Sequence, residues 1–158
     1  MIVYVSSTGS DSTGDGSLGN PYRTGSRAFQ DIGFGGGAGA GDFVIFLDGT
    51  YTETFGTLPT GTSGNPFTLK ALNRRLALFQ PSNRFFNFVN PGNLYLNIEG
   101  LVLNAAGVNS NNIWTDPGCN DIAFVDIELK NTPSGGGTGL GASTACASTT
   151  GAAPPPWS

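Results

Sequence analysis

The chain has no histidine, one methionine and two cysteines among 158 residues. Without an imidazole, Ser-His-Asp and Cys-His catalysis is excluded, as is any zinc or haem site that uses histidine. Cys119 and Cys146 lack CxxC spacing; a disulfide is open to them, but two plain thiols are the expectation. Charged residues make up only 11% of the chain, so long surface helices built on Glu, Lys and Arg are not expected. Seven basic residues stand against 11 acidic ones, for a net charge of −4. The longest basic run is Arg74-Arg75, too little to track phosphates, so nucleic acid is not an expected partner. No run of 18 apolar residues suggests a membrane span, and Met1-Ile2-Val3-Tyr4-Val5 leads into Ser6-Ser7-Thr8-Gly9 without a signal-peptide pattern. If Met1 is the native start, the expectation is a protein made without export, in the cytoplasm or in a virion.

Glycine is abundant instead, with 25 residues. The length suits one domain with a sizeable core. The large apolar residues thin out after Pro133, which divides the chain into a domain at 1–133 and a Gly/Ala/Thr/Pro-rich arm at 134–158. Leu140 and Trp157 are the arm's only large apolar residues. Alone, the arm buries too little surface to offset the entropy of ordering.

One helix is expected, over residues 24–32. Thr24 or Ser26 can cap it, Ala28, Phe29 and Ile32 share one face, and Gly33 onward supplies the exit. Short strands bounded by Gly, Pro, Asn or Asp are expected at 1–5, 43–47, 67–71, 76–79, 85–89, 94–98, 101–103 and 122–129. An internal repeat places Ile98/Val125, Glu99/Asp126 and Asn104/Asn131 each 27 positions apart. Stacked coils of that length would fill their interior with apolar side chains and bridge successive turns through Asn.

Further pieces come in a specific order. They are Tyr4-Val5-Ser6-Ser7-Thr8-Gly9-Ser10-Asp11, Asn20-Pro21-Tyr22-Arg23-Thr24, Gly41-Asp42-Phe43-Val44, Asp48-Gly49-Thr50-Tyr51-Thr52-Glu53 and Gly61-Thr62-Ser63-Gly64-Asn65-Pro66-Phe67. In this succession, over residues 3–131, the chain resembles the opening of right-handed parallel β-helix proteins of the pectate-lyase-like superfamily. The resemblance implies an all-β fold, a short right-handed parallel β-helix of about four coils with a small N-terminal capping helix. Members that cleave acidic polysaccharides have many more coils, a calcium-holding Asp/Glu cluster and a Lys or Arg base.

No catalytic residue, metal site or cofactor follows from this sequence. Lys70, Arg74, Arg75 and Tyr95 form the candidate glycan groove, with Glu99 and Asp126 as a conceivable carboxylate pair on neighbouring coils; the expected reading is that Glu99 and Asp126 are corner residues of equivalent turns and that Arg74 and Arg75 are solvated or pair with nearby carboxylates. The run Asp11-Ser12-Thr13-Gly14-Asp15-Gly16 lacks the closing Glu of a calcium loop and reads as a turn. Phe79, Phe85, Phe86 and Phe88 could stack on sugars but are expected in the core. Two functions remain. One is a non-catalytic assembly protein, such as a bacteriophage capsid decoration or tail-associated component, docking on protein partners or on copies of itself through Leu140, Trp157 and its stack ends. The other is a carbohydrate-binding or weak polysaccharide-lyase-like module.

Overall fold

The computed structural model describes residues 1–34, 37–82, 85–88, 92–105, 113–115, 119–131, 140–141 and 147–148. Its elements are β1 (Ile2–Val5), α1 (Gly25–Ile32), β2 (Phe43–Phe46), β3 (Gly49–Tyr51), β4 (Phe67–Ala71), β5 (Ala77–Phe79), β6 (Phe86–Phe88), β7 (Gly92–Glu99), β8 (Val102–Asn104), β9 (Ile113–Thr115), β10 (Cys119–Val125), β11 (Glu128–Lys130), β12 (Leu140–Gly141) and β13 (Ala147–Ser148). All named strands pair in parallel, in three sheets ordered β1-β2-β4-β7-β10-β13, β11-β8-β5-β3 and β12-β9-β6.

This topology corrects the expected four-coil right-handed β-helix. The sheets are hydrogen-bonded separately, six, four and three strands wide, and among the described residues nothing closes them into a uniform solenoid. The physical reason is the lack of a fixed period. Along one row of the long sheet the offsets are 41 residues from Ile2 to Phe43, 25 from Phe43 to Thr68, 29 from Thr68 to Asn97 and 26 from Asn97 to Ala123. Turns of unequal length make no uniform repeat, although the strands they join still stack in register.

The repeat at 27 holds for the asparagines and for Cys119 on Gly92 at the start of β10. Asn120 donates from its side chain to Asn93, and Asn131 to Asn104 at 2.8 Å. Between Asn120 and Ile122 the register slips by one, so Phe124 pairs with Ile98 and Val125 with Glu99. The strand expected over 122–129 is likewise two strands, because Asp126 has φ 54° and turns the chain between β10 and β11.

The core is aromatic. Phe79 is fully buried, with ring centroids 4.9 Å from Phe46, 4.9 Å from Tyr51 and 4.4 Å from Phe85. Phe85, Phe86 and Phe88 are buried with it, as expected of core residues. The helix forms where expected: Thr24 is its N-cap, with Oγ1 accepting from the Arg27 N–H at 3.2 Å, and Gly33 ends it at φ 92°. Ala28, Phe29 and Ile32 face the core, and the Phe29 ring meets Phe55 and Phe67 edge-on. Residues 16–22 cover the free edge of β1: Tyr4 N–H donates to the Gly16 carbonyl, while Tyr22 and Ser6 complete the pairing. A covered edge cannot recruit a foreign strand.

Candidate functional site

The outer face of the long sheet positions most of the candidate residues. Strand alternation buries Leu96 and Ile98 and turns Asn97 and Glu99 outward. Lys70 and Glu99 are register partners on β4 and β7, and their side chains approach to 3.9 Å. In the bend after β4, Arg74 reaches Asp126 through Nε and, at 2.7 Å, through Nη2; Arg75 Nη2 donates to the same carboxylate at 2.6 Å. Asp126 therefore serves two guanidiniums, and each of the three basic candidates faces a carboxylate. The conceivable Glu99 and Asp126 pair does not stack as equivalent positions, because Val125 sits on Glu99.

Tyr95 lies elsewhere. It precedes Glu99 by four residues, about 13 Å along a strand, so the structure gathers Lys70, Arg74 and Arg75 at one end of the sheet and puts Tyr95 at the other. There it lines an open cleft of about 320 Å³ with Thr62, Gly64, Pro66, Leu96, Asn97, Asp121, Ile122 and Ala123. One wall is the turn at 62–65, closed by reciprocal backbone bonds between Thr62 and Asn65 and tied to β7 by Gly61 N–H donating to the Leu94 carbonyl at 3.0 Å. Gly61 is required there, since a Cβ would come within 2.5 Å of the Phe67 nitrogen. The other wall carries Tyr95 at φ 48° and Asp121 at φ 58°, two left-handed non-glycine residues on adjacent strands. Asn93 Nδ2 donates to the Tyr95 hydroxyl at 3.0 Å. Neither Asp121 nor Asn97 has a side-chain hydrogen bond or ion pair among the described residues.

Three carboxylates of the N-terminal part, Asp11, Glu53 and Asp31, hold its local structure. Asp11 accepts from the Arg23 and Thr24 backbone at 2.8 and 3.0 Å and from Thr24 Oγ1 at 2.9 Å, which locks the run at 11–16 as a turn. Glu53 reaches up to the start of α1, accepting from Gly25 N–H at 2.9 Å, Ser26 N–H at 3.2 Å and Ser26 Oγ at 3.3 Å. Burial pushes its carboxyl above the ordinary value, and those donors only partly pull it back. The hydrogen bond from the Tyr22 hydroxyl, and then Arg27, hold Asp31 below its usual range. Among the described residues no three His, Cys, Asp or Glu side chains are placed to hold a metal.

Sequence reasoning missed Glu53 and Asp121. Glu53 is 28 residues from Gly25, too far for a local capping pattern; Asp121 has no marker besides sitting beside the slipped register. Of the arm residues, Leu140 opens β12, whose backbone pairs with Ile113. The Leu140 side chain and Trp157 lie outside the described residues, as do Cys146 and the side chain of Cys119.

No protein-family model matches this chain, and no curated protein matches it in sequence. Among solved structures it is similar to a rhamnogalacturonan lyase, at 21% identity and a TM-score of 0.61, over 81% of this chain and 35% of that one. The chain thus spans about a third of that structure's length. The likeness is one of fold. It supports a related β-helix fold and no more, and it does not restore the closed four-coil solenoid.

Proposed function

We propose that this chain is a non-catalytic structural module of a larger assembly, of the kind a bacteriophage virion carries as a capsid decoration or tail-associated protein. It docks on protein partners, or on copies of itself, through the far end of its stack, where β12 and β13 add the last strands to β9 and β10, and through the rest of residues 134–158. The observation that carries this reading is the difference between the two ends. At the β1 end, residues 16–22 and α1 cover the sheet edge and the core. At the other end, Leu129 continues the buried row Tyr51, Phe79, Leu103, yet it is 37% exposed. An apolar core row that ends in solvent gains by being covered. The pairing of Lys70, Arg74 and Arg75 with carboxylates supports the non-catalytic half, since cations so engaged stitch strands together and are poor bases. The test is solution mass by light scattering for the full chain and for a chain ending at Pro133, with circular dichroism showing that the shortened chain stays folded without β12 and β13. A defined oligomer that truncation abolishes supports the reading; identical monomers refute it.

A second reading, a carbohydrate-binding or weakly lyase-like module, is favoured by the open cleft at Tyr95 together with the likeness to a lyase named for a polysaccharide. Glycan titration and ultraviolet detection of unsaturated products separate it from the first.

A further inference from the structure

We propose that the cleft between the 62–66 loop and the left-handed residues Tyr95 and Asp121 is a subsite for a neutral, hydroxyl-rich ligand, a non-uronate oligosaccharide. This rests on the carbohydrate-binding reading and narrows it to a place and a ligand class. The place differs from the basic cluster at Lys70, Arg74 and Arg75, which binds its own carboxylates instead.

Three observations carry the assignment. The first is the donor and acceptor set. Asp121 and Asn97, neither with a side-chain partner among the described residues, and Thr62 are the polar residues along a lining that is otherwise mostly apolar. A carboxylate accepts from two hydroxyls at once, an amide both gives and takes, and a pyranose offers that pattern along its edge. The Tyr95 ring supplies an apolar surface suited to the C–H face of a sugar. The second is charge. The lining holds one anion and no cation, so a uronate would set its own carboxylate against Asp121, and the cleft selects against it. A phosphorylated ligand is disfavoured for the same reason.

The third is preorganisation. Two non-glycine residues in the left-handed region, Tyr95 on β7 and Asp121 on β10, flank the register shift between those strands and hold conformations that tyrosine in particular rarely adopts. Strain of this kind clusters at binding sites. The opposite wall is fixed by the Thr62–Asn65 turn and by the bond from Gly61 to Leu94, so the cleft is formed before a ligand arrives.

The test uses the full chain, with saturation-transfer NMR and calorimetric titration. The probes are neutral oligosaccharides built from gluco-, galacto-, manno- and rhamno-units, with oligogalacturonate as the acidic probe. Asp121→Gly removes the carboxylate at a backbone angle glycine accepts without strain, and Tyr95→Asn removes the ring with a residue that tolerates the same region. Arg74→Ala is the control at the other end. The expected result is binding of a neutral oligosaccharide that weakens at least tenfold in Asp121→Gly and in Tyr95→Asn and is unchanged in Arg74→Ala. Preference for oligogalacturonate overturns the ligand class. Binding that falls in Arg74→Ala and survives both cleft variants overturns the place while leaving the carbohydrate-binding reading intact. Failure of every probe to bind overturns both.

Discussion

Replacing Glu53 with alanine removes the link between the capping helix and the strands beneath it. Three hydrogen bonds end on this carboxylate, two of them from the Gly25 and Ser26 backbone N–H groups that a helix start cannot pair internally. Bonds to a charged acceptor contribute about 1.5–3 kcal/mol each where buried, but burial of the carboxylate opposes them, as its raised pKa indicates. Thr24 remains as cap. The net cost of Glu53→Ala is therefore about 2 kcal/mol, comparable to loss of a strong N-cap, and lowers Tm by about 4–8 °C for a chain of this size. The pH dependence has a definite sign. A carboxyl whose folded pKa lies above its unfolded value keeps its proton in the fold while the unfolded chain has released it, so its contribution falls as pH rises through that window. The penalty of Glu53→Ala should then be larger near pH 4 than at pH 7. Thermal melts monitored by circular dichroism at both pH values decide the matter. A change in Tm under 1 °C, or a penalty that grows with pH, refutes the reasoning.

Other perturbations have equally definite outcomes. Phe79→Ala leaves a cavity among Phe46, Tyr51, Phe55 and Phe85 and should cost about 3–5 kcal/mol in urea unfolding. Asp126→Gly loses ion pairs to two exposed arginines, about 1 kcal/mol at most, but relieves the left-handed backbone; it should stay within about 0.5 kcal/mol of the parent while Asp126→Ala costs about 1 kcal/mol. Burial drives the Tyr51 phenol up to about 12, and its hydroxyl donates to the Leu47 carbonyl at 2.7 Å. The unfolded phenol ionises first, near its ordinary value of about 10. Stability should therefore decline as pH rises from there toward 12, and Tyr51→Phe should flatten that decline in alkaline melts.

Much of the local structure was legible in the sequence because its causes are local. Thr24 and Gly33 mark the helix ends by side-chain capping and positive φ, and the strands at 43–46, 67–71 and 77–79 announce themselves as apolar runs between turn residues. The short β3 at Gly49–Tyr51 did not, since a Gly-Thr-Tyr triplet carries no period. The closed coil rested on the family resemblance and on a 27-residue repeat that asparagine side chains obey and the apolar register does not. A slip of one residue leaves no composition signal; only the left-handed Tyr95 and Asp121 beside it reveal where the strands readjust. That Arg74 and Arg75 could pair with carboxylates was legible, but the partners depend on contacts 29 to 52 positions apart, Lys70 with Glu99 and both arginines with Asp126. Tyr95 was legible as an aromatic near that cluster in sequence, and the fold separates it along β7 and gives it Asp121 instead.

The central claim, that this module works by joining an assembly, is tested most directly by light scattering on the full chain and on the chain ending at Pro133. The account predicts a defined oligomer for the full chain and its loss on truncation. Two monomers of matching stability, one of them releasing unsaturated sugars from a polysaccharide, would contradict it.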